Sequence, residues 1–318
     1  MSARAWTLFA SVSVIWGVPY LLIKISVDGG FPPVTLAWAR MVVGGAVLLA
    51  LAARSGSFAG VREHWRALLA YATVELSIPF PMIALGERHI PSSLAAIIIS
   101  TVPLLVALLA LRVDRSQKPT RTSLGGLMAG LVGVGLLVGV EASGKSSTLL
   151  AVGGVFIAAV GYAGGPLIYN RHLTELDRRA AMGTTLWMAA LLLTPVALLD
   201  WPARTPTAGA LAAMLALALL CTAVAFVLMA SLILEIGPAR AVVVTYINPV
   251  IALVLGVIFL DESPGLGSVA GLALILAGSW AATQRRTAPQ APSPLGDAGT
   301  DTCGPGARPQ YEIQGPAQ

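Results

Sequence analysis

The feature that most constrains this chain is a row of ten apolar stretches, each about as long as a bilayer core is thick. A hydrocarbon core of about 30 Å takes about 20 mostly apolar residues as helix. The stretches run at roughly 5–25, 34–52, 67–86, 91–111, 122–140, 148–169, 181–199, 208–234, 239–260 and 264–283. Most linkers are short and hold Gly, Pro, Asp, Arg or Ser, residues that end helices and turn the chain. The expected fold class is all-α and polytopic, with ten transmembrane helices. Composition agrees, since 56% of the 318 residues are apolar and only 11% charged, against about 25% charged in soluble domains. That excludes an ordinary cytosolic enzyme, a disordered protein and a disulfide scaffold. The first stretch follows Arg4 like a signal peptide, but it has no clear small-residue cleavage site and nine more stretches follow, so it reads as a helix. Cys221 lies in an apolar run and Cys303 in a polar tail, so no internal disulfide is expected. Residues 285–318 hold six prolines and five glycines with almost no apolar residue, and read as a disordered tail.

Lys and Arg set the orientation. With the N-terminus in the cytoplasm, the cytoplasmic segments hold 15 of the 20 cations. The outer loops hold only Arg88, Lys145 and Arg204, while Lys24 and Arg40 lie at or within spans. This split predicts both termini inside, by the positive-inside rule. The net charge of +5 is then a topology signal, and no nucleic-acid partner is expected.

An internal repeat organises the spans. At an offset of 146, Trp16-Gly17 falls on Tyr162-Ala163, Leu21-Leu22 on Leu167-Ile168, Ala95 on Ala241 and Pro103 on Pro249. With one residue dropped, Gly126 and Gly133 fall on Gly271 and Gly278. The expectation is a duplication of five helices, 1–141 and 148–284, followed by a cytoplasmic tail over 285–318. Five is odd, so the halves are inverted relative to each other. Inverted repeats characterise secondary transporters and place the solute near the midplane, at the repeat interface.

Several segments resemble one family. These are "IWGVPYLLIK" (15–24), Pro33 followed by Arg40, "ALGERHIPSSLAAIIISTVPLLVALL" (84–109), "ASLILEIGPARAVVVTYINPVIALVLGVIFLDE" (230–262) and "GLGSVAGLALILAGSW" (265–280). Together they resemble EamA-type proteins of the drug/metabolite transporter superfamily, over roughly residues 5–283. The resemblance implies a ten-helix carrier of the cell (inner/plasma) membrane, commonly an exporter of amino acids, metabolites or drugs. One departure stands out: "RVDRSQKP" in the first half replaces the "LDESP" of the second, so an acidic residue after the fourth helix is missing once.

Polar residues inside spans are costly and mark function or pairing. Glu75, in the middle of the third span, reads either as a proton-coupling or cation-binding site or as an ion-pair partner of Arg40. Arg40 reads as a ligand for a substrate carboxylate, as a clamp on Glu75, or as a snorkelling cation. Lys24 reads as snorkelling. Trp16, Tyr20, Tyr162 and Tyr246 are candidate cavity aromatics, suited to amino acids, aromatic solutes or organic cations; packing is the alternative. In related folds the first, third and fourth helices of each half surround the cavity. Trp6, Trp65 and Trp201 sit at span ends as interfacial belt residues. Pro79, Pro81, Pro103, Pro166 and Pro249 are expected helix breaks. Ser100, Thr101 and Asn248 precede two of them and are candidate pocket polars. Gly126, Gly130, Gly133 and Gly135, with Gly267 and Gly271, form small-residue faces for an intramolecular or homodimer seam.

"GVEASGKS" (139–146) matches G-x-x-x-x-G-K-[ST]. Its setting between two membrane helices, outside the cell, argues against a nucleotide loop on Lys145. No HExxH, GxSxG or Cys/His metal spacing occurs, and His64, His89 and His172 are scattered. No metal, cofactor or reaction centre is expected. The function read from the sequence is secondary-active transport of a small organic solute through the bilayer by alternating access, with protons as the coupling ion. An uncoupled facilitator and, further away, a membrane-embedded enzyme are the alternatives.

Overall fold

The computed structural model describes residues 2–113 and 146–283, with positions 125, 126, 128, 129, 132 and 133 between them. Most of the fifth apolar stretch, the 139–145 part of the Gly-Lys motif and the tail 285–318 therefore lie outside the described residues. Among the described residues there is no strand. The helices are α1 (Ala3–Gly17), α2 (Pro19–Asp28), α3 (Pro33–Arg54), α4 (Trp65–Tyr71), α5 (Pro79–Gly86), α6 (Ser92–Ile99) and α7 (Val102–Val113). After the undescribed stretch come α8 (Ser146–His172), α9 (Arg178–Leu199), α10 (Ala208–Ala218), α11 (Ala225–Ile236), α12 (Pro238–Ala241), α13 (Asn248–Leu260) and α14 (Leu266–Thr283). Among the described residues, seven continuous runs are long and apolar enough to cross a membrane, and two shorter apolar helices accompany them.

Side chains on the outside of the bundle are apolar. Leu150, Leu198, Leu199, Phe259 and Leu266 are all exposed. Such a surface fits lipid rather than water. Trp6, Trp65 and Trp201 are exposed as well, as belt residues at the lipid interface would be. Hydroxyls inside the spans bond their own backbone: Thr73 donates to the Leu69 carbonyl, Thr194 to Ala190 and Ser231 to Val227.

Five spans expected as single helices are interrupted, and proline explains most of the interruptions. Pro19 opens α2 after a break at Val18. The missing N–H of Pro79 stops the α-ladder of the third span. The turn widens instead into a π-helical segment, Ala72–Ser77, and the Ile78 N–H reaches the Thr73 carbonyl five residues back at 3.2 Å. A second π-helical segment, Leu219–Val224, interrupts the span between α10 and α11. There the Thr222 hydroxyl donates to the Leu217 carbonyl, also five residues back, at 2.8 Å. Ser100 and Thr101 separate α6 from α7 ahead of Pro103. A 3-10 segment, Val242–Tyr246, precedes α13, which Pro249 opens. Pro166, expected at a break, lies inside the unbroken α8, and Pro81 lies inside α5.

The packing interleaves the two parts of the chain. α3 packs along α9, α5 on α8, α1 on α11, α2 on α10 and α6 on α13. Small residues permit the close approaches. A Cβ on Gly133 would meet Leu274 and the Gly271 carbonyl at 3.0 and 3.1 Å, so Gly133 packs against Gly271 within the chain.

Candidate functional site

The interruptions converge on an internal cavity of about 80 Å³. Its wall includes Trp16, Tyr20, Arg40, Tyr71, Glu75, Phe80, Tyr162, Pro166, Phe226, Met229, Thr245 and Asn248. Six pairs of wall residues lie 146 positions apart: Trp16 and Tyr162, Tyr20 and Pro166, Phe80 and Phe226, Ile83 and Met229, Ile99 and Thr245, Val102 and Asn248. The wall is mostly aromatic and aliphatic with a few polar groups, the usual make-up of a small-molecule site.

Glu75 is the exceptional group. It lies in the π-helical segment and is buried, and its Oε2 has no hydrogen-bond partner. Its neighbour on α8 is Gly165, where an added Cβ would collide with the Glu75 carboxyl group. Gly161 likewise fits against the Val74 carbonyl and Pro79. Gly161 and Gly165 therefore seat the widened turn and leave room for the carboxylate.

Arg40 does not pair with Glu75. Its Nε and Nη2 both donate to the Thr222 hydroxyl, at 3.1 and 2.9 Å. Its guanidinium lies 4.0 Å from the centroid of the Phe80 ring, a cation–π contact. Thr222 belongs to the second π-helical segment, so each wide turn presents one polar side chain to the interior. A guanidinium has five N–H donors, and Thr222 takes two, which leaves donors for a carboxylate.

The aromatics brace one another. Trp16 donates from Nε1 to the Cys221 carbonyl at 3.2 Å and stands edge-on to Phe226, 5.5 Å between centroids. The ring centroids of Phe80 and Phe226 lie 6.2 Å apart, and those of Tyr71 and Tyr169 6.1 Å. Asn248 turns its amide nitrogen toward the Val244 and Ser13 carbonyls, 3.0 Å from each.

Of the residues singled out by sequence, Trp16, Tyr20, Arg40, Glu75, Tyr162, Asn248 and Pro166 lie on the cavity wall. Ser100 and Thr101 are buried beside it, and their hydroxyls close onto the Ile97 and Ile98 carbonyls at the helix break. Tyr246 ends the 3-10 segment next to the wall residue Thr245. Lys24, expected to snorkel, donates to the Glu87 carbonyl at 2.9 Å and sits 3.5 Å from Asp28. Missed by sequence were Tyr71, Phe80, Thr222, Phe226 and Met229. Tyr71 lies one turn before Glu75, on the same face. The 146 offset carries Phe80 to Phe226. Among the described residues, no cluster of three or more His, Cys, Asp or Glu is placed to hold a metal ion.

Membrane-length helices, an apolar exterior and an internal cavity studded with buried charge define a multi-pass membrane transporter. The chain belongs to the EamA-like transporter family, whose model matches residues 4–139 and again 149–284. It is 26% identical to the uncharacterized transporter YvbV of Bacillus subtilis (strain 168), over 86% of this chain and 89% of that protein. It is 28% identical to the uncharacterized inner membrane transporter YedA of Escherichia coli (strain K12), over 76% of this chain and 78% of that one. It is 26% identical to a probable terminal-alkyne amino-acid exporter of Streptantibioticus cattleyicolor, over 87% of this chain and 92% of that one. A solved crystal structure at 21% identity shares the fold, with a TM-score of 0.65 over 89% of this chain and 98% of its own.

Proposed function

We propose that the protein is a secondary-active carrier that exports a small amino-acid-like solute in exchange for protons. The observation that carries this reading is Glu75, a buried carboxylate with an unpartnered oxygen on the wall of a cavity. A single carboxylate can hold a proton or the amine of a solute, not both at once. Exchange follows if the site opens alternately to the two sides. Arg40 keeps donors for the solute carboxylate, and the aromatic wall takes the side chain. The volume of about 80 Å³ is below the roughly 300–1,000 Å³ of drug-sized pockets, which favours a small solute. The amino-acid exporter of Streptantibioticus cattleyicolor supports the same class.

The architecture in this reading is ten spans in two inverted five-helix repeats, 1–141 and 148–284, with both termini and the tail 285–318 in the cytoplasm. Three observations support it. The two π-helical segments begin 147 residues apart. Six wall pairs share the 146 offset. The contacts of α1 with α11 and of α5 with α8 are the exchanged contacts that a two-fold axis between the halves generates. The cavity then lies on that axis, where rocking halves expose it to each side in turn.

The test is proton flux in proteoliposomes with a lumenal pH dye. Neutral amino acids, polyamines, sugars and organic cations are added in turn to wild type and to Glu75→Gln. A pH change triggered by an amino acid in wild type alone supports the reading. Exchange of radiolabelled solute without proton movement replaces it with an uncoupled facilitator.

A further inference from the structure

A second buried carboxylate lies outside the cavity, at the end of the bundle where Asp28, Glu87, Ser92 and Glu262 meet. Glu87 follows α5 just beyond the 65–86 span and is fully buried. Neither of its carboxylate oxygens has a hydrogen-bond partner. The groups whose charge reaches it are Lys24 and Asp28 from α2, Arg40 from α3 and Glu262 from the segment after α13, with the neutral Tyr20 hydroxyl of α2 within reach of it. Its chain neighbours Arg88 and His89 are exposed.

Polar contacts cross between the two parts of the chain at this end. The left-handed Asp261 (φ 51°) turns the chain after α13. The turn delivers the Glu262 carboxylate to the start of α6, where it accepts from the Ser92 and Ser93 N–H groups at 2.7 and 3.1 Å and from the Ser93 hydroxyl. The Thr207 N–H donates to the Gly29 carbonyl at 2.9 Å. Near the opposite end, Glu235 takes contacts from Arg4 and Ser2.

We infer that this end of the bundle is a gate and Glu87 its protonation latch: the closed end keeps it as the neutral acid, and opening lets it ionise. A carboxylate shut away from water without a donor is stable only in its neutral form. When the end opens, water reaches the group, the O–H bond breaks, and the proton leaves to the solution on that side. Closing takes one proton back. Burial pushes the Glu87 carboxyl well above the usual carboxylate range; the Lys24 and Arg40 charges oppose this, while Glu262 and Asp28 reinforce it. The sign follows: the closed end binds the extra proton, so closure is complete below the ordinary carboxylate range. It is lost as pH rises through the raised value. Between the ordinary carboxylate range and the raised value the closed-to-open ratio falls about tenfold per pH unit for one proton, and above the raised value it is level.

The inference rests on the carrier reading, because a gate needs two ends that open. Its test needs no solute. Spin labels are placed on His89→Cys and Ser263→Cys, with Cys221→Ala and Cys303→Ser, in the full chain in nanodiscs. Distances are measured from about pH 5 to about pH 9, across and above the carboxylate range. Wild type should show one short distance at low pH and gain a longer one as pH rises. With Glu87→Gln the short distance should persist throughout. Of the protonated carboxylic acid bands in the infrared, one should be lost in Glu87→Gln and kept in Glu75→Gln, a check independent of any shift in folding. The inference is overturned by a wild-type distance indifferent to pH, by an unchanged pH response in Glu87→Gln, or by infrared spectra in which Glu87→Gln loses no protonated-acid band. A gate that responds to pH in a protein moving no solute would refute the carrier reading alone.

Discussion

Positions 146 apart build one cavity wall with different chemistry. Trp16 and Tyr162, and Phe80 and Phe226, repeat the aromatic shape. The charges do not repeat. Glu75 has Cys221 at the matching position, Arg40 has Leu186, and Glu87 has Ile233. Packing residues were kept in both parts because both must seat a wide turn against small residues. Buried charge is expensive in a membrane, and one carboxylate suffices to hold one exchangeable cation. The difference teaches that paired positions give the wall its shape, while the part before residue 141 supplies its charge.

The largest effect tests that division. Glu75→Gln should bring solute-driven proton flux to background while detergent-solubilised protein stays monodisperse. Normal flux would remove the charge asymmetry from the mechanism. Arg40→Leu copies the residue found at its matching position. It removes the cation that would meet the solute carboxylate, and one hydrogen bond from a charged donor is worth about 1.5–3 kcal/mol. Solute affinity by equilibrium binding should fall about 10- to 100-fold, and unchanged affinity would make Arg40 purely structural. Gly165→Ala pushes a methyl group into the Glu75 carboxyl. Overpacking costs about 1–3 kcal/mol, so flux should drop further than in Gly164→Ala, where the contact is Val74 Cγ1 at 3.2 Å. Equal losses would argue that Glu75 is not held in place by the glycine run. Glu262→Gln removes the negative charge at the start of α6. It should cost about 0.3–1 kcal/mol, read as a small drop in thermal midpoint, and no drop would show that the cap holds by geometry alone.

Seven of the expected stretches were legible as membrane-length helices because lipid demands long apolar runs, and two more hold shorter apolar helices among the described residues. The breaks were only partly legible. Pro79, Pro103 and Pro249 mark real interruptions, because a missing N–H cannot be hidden. Pro166 looks the same in the sequence, yet α8 runs through it. The wide turn at Leu219–Val224 contains no proline and gave no signal. Glu75 announced itself as a lone charge in an apolar run. Its pairing with Arg40 was a natural expectation from two opposite charges in neighbouring spans. Thr222, 182 residues from Arg40 in the chain, takes the guanidinium instead, and such long-range pairing leaves no trace in periodicity. Glu87 was missed because a charge in "GERH" reads as a solvated loop, whereas the fold buries it.

The most direct test of the central claim is the number of protons released when solute binds. It is read with a pH dye in weakly buffered, detergent-solubilised protein, using the amino acid that gives the largest flux. If proton and amine share Glu75, wild type releases about one proton per solute bound and Glu75→Gln releases none while still binding. Equal release from both proteins, or binding without release in wild type, would contradict the account.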